Sequence, residues 1–264
     1  MRAAPAVTIG ISLKMYFGHH QTLNWSRRTA AIAGRHPAVT SGLAELFVLP
    51  SFPALVPVAS IVAGSGVRVG AQDLAAEDAG PYTGEVSGAH LKEIGCAYAE
   101  VGHAERRRLF GEGDTVVAAK TAAALRNGLT PVLCVGELNR ADPSDAAART
   151  VAELERLLAT AGAERAPVVV AYEPQWAIGA PQPASTTHIR TVCAALTDWL
   201  AARPGLAGSR VIYGGSAGPG LLADLGADAG GLFLGRFAHD PTAVERILDE
   251  ALALHGTPTE EATV

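Results

Sequence analysis

Eight short runs rich in β-branched and other apolar residues recur along the chain, and their spacing constrains the fold more than any other feature. They are Val7 to Ile11, Leu46 to Leu49, Val67 to Ala71, Tyr98 to Val101, Pro131 to Val135, Val168 to Tyr172, Val211 to Tyr213 and Leu232 to Leu234. Each is too short for a helix and reads as a strand buried on both faces. Most are separated by segments of helical periodicity, such as Asp114 to Asn127 closed by Gly128, Ser144 to Ala161, Thr187 to Ala202 and Asp240 to Leu254. Asp240-Pro241 has the form of an N-cap followed by proline at the first helical position. Strict alternation of strand and helix implies parallel pairing with right-handed crossovers, and eight such units close into a (β/α)8 TIM barrel. An open, doubly wound sheet is the structural competitor. Its dinucleotide-binding form is disfavoured, because no GxGxxG follows the first strand.

The chain has 264 residues, which suits one barrel, and no Pro/Gly-rich linker divides it. Residues 1–254 are expected to form the barrel and 255–264 a disordered tail. A hydrophobic share of 48% fits strands covered on both faces. The net charge of -5 argues against a nucleic-acid or anionic-membrane partner but leaves a small anionic substrate open. Cys96, Cys134 and Cys193 are far apart, form no CxxC pair and have no histidine at metal-ligand spacing. Reduced thiols and a cytoplasmic location are the expectation. The N-terminus lacks the form of a signal peptide, and no stretch is long enough to span a bilayer.

One carboxylate stands out at a strand end. The run Val168 to Tyr172 leads into Glu173, and Pro174, which cannot donate to a strand ladder, stops it there. Barrels present their chemistry at this end of the strands. Trp176 and Ile178 follow in a short loop ending at Gly179, an apolar flap suited to closing over a ligand and excluding water. Taken alone, a solvent-facing acid beside an apolar loop is the simpler reading.

Other strand ends carry matching features. Lys14, just past the first strand, either sits on the surface or points a compact positive charge into the mouth, where it would bind phosphate and stabilise an oxyanion. After the fourth strand comes Gly102-His103-Ala104-Glu105-Arg106-Arg107. A helical turn starting near His103 would disfavour the imidazolium and leave a neutral ring able to donate to a carbonyl oxygen. Glu105 is close enough to partner a cation such as Lys14. A capping histidine beside a solvated charge run is the plainer alternative. Gly214 to Gly220, after the seventh strand, has the composition of a phosphate-cradling backbone nest or of a flexible loop. Gly235-Arg236 follows the eighth strand, and barrels often bind phosphate with these two turns together.

In combination, Lys14, His103 and Glu173 with the two glycine turns strongly resemble the triosephosphate isomerase family. The likeness runs from Ile9 to about Leu252 and is strongest in Gly102 to Arg107, Ala171 to Gly179 and Tyr213 to Ser216. The resemblance implies that Glu173 is the base moving a proton between adjacent carbons. His103 would be the neutral electrophile, and Lys14 would stabilise the enediolate and bind phosphate, with Glu105 behind it. It further implies that the turns at Gly179, Gly214, Gly215, Ser216 and Gly235 hold the phosphate. Neither cofactor nor metal is expected. Thr83-Gly84-Glu85 resembles the loop that enters a neighbouring subunit, which points to a homodimer.

The family pattern is broken in places. Ser12 stands where the family has asparagine, Ala104 replaces a serine that contacts the resting base, and Ala180-Pro181-Gln182 replaces the Gly and Lys residues of the far flap hinge. Arg236 takes the second position of a glycine pair, where it either adds donors near the phosphate or projects outward. The catalytic trio is intact, so proton transfer is expected to survive while the substrate changes. Ser12 empties space beside the reacting carbons for one more hydroxymethyl group. Ser12 and Arg236 together resemble the branch of the family that isomerises four-carbon ketose phosphates such as L-erythrulose 1-phosphate, whose enediolate collapses to a second ketose. That is the leading expectation. The ordinary triose reaction, dihydroxyacetone phosphate to glyceraldehyde 3-phosphate, is the alternative, and a non-catalytic phosphate-ester-binding relative is a more distant one.

Overall fold

The computed structural model describes residues 6–256 apart from residue 164. The expected strands form, with ends displaced by at most two residues: β1 (Val7–Ser12), β2 (Ala44–Leu49), β3 (Val67–Ala71), β4 (Tyr98–Val101), β5 (Thr130–Val135), β6 (Val169–Tyr172), β7 (Arg210–Tyr213) and β8 (Gly231–Leu234). Every pairing is parallel, each strand lies beside its sequence neighbours, and β8 pairs with β1. The sheet is therefore a closed barrel, which overturns the open-sheet competitor and leaves no unpaired edge.

Helices fill the connections, among them His19–Ala33, Asp114–Arg126, Pro143–Ala161, Thr186–Ala201 and Pro241–His255. The last begins as its sequence implied, with the Asp240 carboxylate accepting from Thr242 N–H and Pro241 at the first turn. It runs to His255, one residue into the segment expected as a tail, and residues 257–264 lie outside the described ones.

Side chains alternate across the barrel wall, as strand geometry requires. Phe47 and Leu49 of β2, Tyr98 of β4, Val132 of β5, Val169 and Ala171 of β6, Ile212 of β7 and Phe233 of β8 fill the interior. Their neighbours, including Leu46, Val48, Leu133, Val170 and Leu232, pack against the helices. Burying one such large apolar side chain contributes about 1.5–3 kcal/mol. Two glycines make this packing possible. A Cβ on Gly10 of β1 would come within 2.3 Å of the Phe47 ring, and one on Gly70 of β3 within 2.6 Å of Leu49 and Tyr98. The vacated volume lets the Phe47 and Tyr98 rings stack 4.3 Å apart inside the barrel.

Polar groups plug the N-terminal end. Arg210 donates to Glu45 at 2.7 Å and to Thr8 at 2.9 Å, while the Tyr98 hydroxyl donates to the other Glu45 oxygen at 2.6 Å. A charged floor and an aromatic middle layer leave only the opposite, C-terminal end open for a ligand.

Gly10→Ala should therefore destabilise the protein by about 1–3 kcal/mol, because the Phe47 and Phe233 rings would have to leave their packed positions. Urea unfolding should show a lower midpoint at unchanged slope; an unchanged midpoint would contradict this account of the interior.

Candidate active site

The strand ends of β1, β4, β6, β7 and β8 converge on one cleft of about 270 Å³ at the C-terminal mouth of the barrel. Its lining includes Ser12 and Lys14 after β1, His103 and Glu105 after β4, and Glu173 and Gly179 after β6. Gly214, Gly215 and Ser216 after β7 and Gly235 and Arg236 after β8 complete it. All the site residues expected from the sequence thus meet in a single place. Thr83, Gly84 and Glu85 do not belong to it; they lie exposed on the long connection after β3.

Glu173 extends β6 by one rung, its N–H donating to Val135 O at 2.8 Å. Glycines make room around it: a Cβ on Gly214 would lie 2.8 Å from Glu173 Cγ, and one on Gly136 only 2.2 Å from its backbone oxygen. The carboxylate is buried, and its Oε2 has no hydrogen-bond partner among the described residues. Burial, followed by the negative charge of Glu100, pushes its pKa well above the usual carboxylate range, against the opposing pull of Lys14 and Cys134. An unsatisfied buried carboxylate of raised basicity is poor structural economy and good preparation for accepting a proton.

His103 faces this carboxylate, with Nε2 3.6 Å from Glu173 Oε2. It caps the helix Ala104–Phe110, and its Nδ1 accepts from the Glu105 N–H at 3.0 Å. That bond assigns the ring proton to Nε2, which points into the cleft. Burial first, and then the positive charge of Lys14, lowers the ring's pKa to about 4. The contact with Glu173 is therefore between a neutral imidazole and a carboxyl group, not an ion pair. Gly102 permits the turn, holding φ at +75° where a Cβ would also strike Val117 at 2.9 Å.

Lys14 has the one left-handed backbone among the described non-glycine residues, at φ 49°. Such strain costs on the order of 1–3 kcal/mol and persists only when the surroundings enforce it. Gln72 donates to Lys14 O at 3.1 Å, and Lys14 Nζ donates to Glu105 at 2.8 Å. Burial on its own would lower the ammonium's pKa, but the carboxylates of Glu105, Glu173 and Glu100 together hold it above the ordinary value. The lysine stays charged in the mouth of the barrel.

Across the cleft lie the anion-sized turns. The N–H groups of Gly179, Ser216 and Gly235 donate to no backbone carbonyl in the described turns and loops. The flap that starts at Trp176 packs onto the turn after β7: Ser216 Oγ donates to Ala180 O at 2.7 Å, and Ala184 N–H donates to the Tyr213 hydroxyl at 3.2 Å. Arg236 lies exposed at the rim of the cleft, where its guanidinium donates to Gly179 O at 3.3 Å and so touches the flap. Trp176 is not merely an apolar cover, since its indole N–H donates to Glu137 at 2.8 Å.

The supporting residues were not legible as site residues. Glu137 also receives the Tyr172 hydroxyl and contacts His188 at 3.0 Å, anchoring the near end of the flap. Lys120 bridges Asp73 at 2.7 Å and Glu112 at 2.6 Å, and Arg106 joins the same pair, so the helix that carries His103 is tied down. Some of these partners are distant in sequence, such as Lys120 and Asp73, and only burial distinguishes the group from surface charges. Glu100 is different. A charge inside the otherwise apolar run Tyr98 to Val101 was a visible irregularity. Its Oε2 accepts from Ser12 Oγ at 3.0 Å, and its Oε1 lies 4.0 Å from His103 Nε2.

Among the described residues, no group of three or more His, Cys, Asp and Glu side chains is placed to hold a metal ion, and no helix is long and apolar enough to cross a membrane.

This fold and this cleft define a barrel enzyme of the isomerase class, and comparison with known proteins gives the family. The sequence model described as triosephosphate isomerase matches residues 7–251. The chain belongs to the triosephosphate isomerase family. It is 55% identical to the L-erythrulose-1-phosphate isomerase of Pectobacterium atrosepticum, over 94% of this chain and 96% of that one. With the triosephosphate isomerase of Mycobacterium tuberculosis it shares 41% identity, over 80% of this chain and 83% of the other. The crystal structure of triosephosphate isomerase from Bartonella henselae superposes with a TM-score of 0.77 at 28% identity, covering 94% of this chain and 99% of that one.

The lowered pKa of His103 has a direct consequence. Its ring should remain neutral at pH 6, where an ordinary histidine is mostly protonated, and should carry its proton on Nε2. Imidazole 15N shifts measured from pH 4 to 8 will check this; a ring titrating near 6.5 would contradict the assignment.

Proposed function

We propose that this isomerase converts a four-carbon ketose phosphate, L-erythrulose 1-phosphate, to D-erythrulose 4-phosphate without a cofactor. The observation that carries the substrate is the 55% identity to an L-erythrulose-1-phosphate isomerase over nearly the whole of both chains. Ser12 supports it, being small and lining the cleft where the family has asparagine.

In this reading Glu173 takes the proton from the carbon beside the carbonyl and becomes a carboxylic acid. His103 donates from Nε2 to the carbonyl oxygen, and Lys14, paired with Glu105, stabilises the negative charge of the enediolate. Glu173 then returns the proton to the former carbonyl carbon, while a hydroxyl proton passes between the two oxygens by way of His103. Because the deprotonated carbon carries a hydroxymethyl substituent, the product is a second ketose. The phosphate is held by the turns at Gly179, Gly214, Gly215, Ser216 and Gly235, with Arg236 adding a guanidinium. The closed flap excludes water from the enediolate.

The ordinary triose reaction is the second reading, favoured by the 41% identity to the mycobacterial triosephosphate isomerase. A binding relative without turnover is disfavoured by an intact base, imidazole and ammonium. We further infer a homodimer joined through Thr83, Gly84 and Glu85, and a cytoplasmic location in keeping with the buried, free thiols of Cys96, Cys134 and Cys193. Light scattering should give twice the chain mass of 27.1 kDa; a monomer would end the dimer assignment.

Two kinetic outcomes test the chemistry. Glu173→Gln should lower kcat by about 10²–10⁴-fold, the usual worth of a positioned general base, without lowering the melting temperature. Side-by-side assays should give a higher kcat/KM on the tetrulose phosphate than on dihydroxyacetone phosphate. Equal or better turnover of the triose would sink the four-carbon reading.

A further inference from the structure

The proton-transfer scheme leaves the buried carboxyl group of Glu100, in the mouth of the barrel, without a task. Glu100 is 3% exposed and shares the inward parity of Tyr98 on β4. Among the described residues no ion pair holds it: its hydrogen bond comes from a serine, and its other oxygen lies 4.0 Å from a neutral histidine. A carboxylate in such a place costs stability that an apolar side chain of similar volume would not, so packing does not account for it.

Its effect on Ser12 does account for it. A serine hydroxyl has one proton to give, and Ser12 gives it to Glu100 Oε2. The lone pairs of Ser12 Oγ are left as acceptors. Ser12 lines the cleft, whereas Glu100 lies behind it. Beside it, His103 Nε2–H and Lys14 Nζ are donors suited to the carbonyl and enediolate oxygens, while the Glu105 carboxylate is taken up by Lys14 and Glu173 is the base. Ser12 supplies an acceptor on the same wall, and the additional group of a four-carbon ketose phosphate is a hydroxyl with a proton to donate.

We propose that Glu100 and Ser12 form the specificity-determining pair of this site, with Glu100 the positioning residue that holds Ser12 Oγ as acceptor for the terminal hydroxyl of a four-carbon ketose phosphate. The proposal rests on the substrate reading above and deepens it. A triose phosphate lacks the terminal carbon and gains nothing from this contact. A site that hydrogen-bonds a substrate hydroxyl discriminates strongly against the analogue lacking it, because the buried acceptor is then left unpaired.

The pair also gives the site a pH signature. Burial raises the Glu100 pKa to about 7, opposed by Lys14 and by the Ser12 hydroxyl. The ionisable groups around it are Lys14 beyond β1, Asp73 beyond β3, His103 and Glu105 beyond β4, Cys134 on β5 and Glu173 beyond β6. As pH falls through about 7, Glu100 takes up a proton and can itself donate to Ser12 Oγ, so the hydroxyl is no longer fixed as an acceptor. Its negative charge also raises the pKa of Glu173, so removing that charge makes the base easier to ionise.

The test compares the full chain with its Ser12→Ala and Glu100→Gln variants, using L-erythrulose 1-phosphate and dihydroxyacetone phosphate as substrates from pH 5 to 9. Both variants should lower the ratio of tetrulose to triose kcat/KM at least fivefold. The double variant should lose little more than the worse single one, as expected of two residues acting as a unit. Glu100→Gln should in addition shift the acid limb of kcat/KM to lower pH for both substrates, which a merely structural role would not do. A ratio that moves less than fivefold, or a limb that stays in place, would overturn the proposal while leaving the substrate reading intact. A wild-type chain without tetrulose turnover would overturn both. If Glu100→Gln fails to fold, Ser12→Ala alone decides the matter through the ratio.

Discussion

Closure of β8 against β1 is the constraint on which the rest depends. Lys14, His103 and Glu173 lie on three different strand ends, separated by long stretches of sequence. An open sheet would spread these ends along a line, whereas a closed parallel barrel gathers them around one mouth. The His103–Glu173 contact of 3.6 Å and the Lys14–Glu105 bond of 2.8 Å are both consequences of that closure. Closure in turn relies on glycines. Gly10 and Gly70 let large side chains fill the middle of the barrel, while Gly214 and Gly136 open space for Glu173 at its top.

The price of the arrangement is visible in what is buried. A carboxylate oxygen lacks a partner among the described residues, a lysine is held in a left-handed backbone conformation, and two acids sit near one another with raised pKa values. Each of these is unfavourable in isolation. They are held by polar networks around the rim: Asp73, Glu112, Lys120 and Arg106 behind the His103 helix, and Glu137, Tyr172, His188 and Trp176 behind the flap. The Lys120 and Glu137 clusters are themselves largely buried, so their value lies in orientation more than in net stabilisation. A site that must keep its imidazole neutral and its base unpaired needs rigid walls, because relaxation toward the nearest counter-charge would disarm it.

How much was legible from the chain follows from the range of each signal. The strand ending at Tyr172, its arrest by Pro174 and the cap at Asp240-Pro241 are local, and all three appear in the structure, the strand starting one residue later than read. Lys14, His103 and Glu173 were recognisable only as a set, since each alone has an ordinary structural explanation. The direction taken by Arg236 was undecidable from sequence, because it depends on the Gly179 carbonyl brought beside it by the flap. Glu100 was overlooked although its charge interrupts an apolar run, since the run alone does not say which face of the strand looks into the mouth.

The sequence by itself determined the strand and helix alternation, the family and the chemical types available at the strand ends, because hydrophobic period, turn residues and motif spacing act over a few neighbouring positions. Only the tertiary structure decided protonation and partnership. It placed the Ser12 hydroxyl on Glu100, the ring proton of His103 on Nε2 and a carboxylate with a free oxygen opposite it. Those are properties of burial and of distances between residues up to ninety positions apart, and no local pattern encodes them.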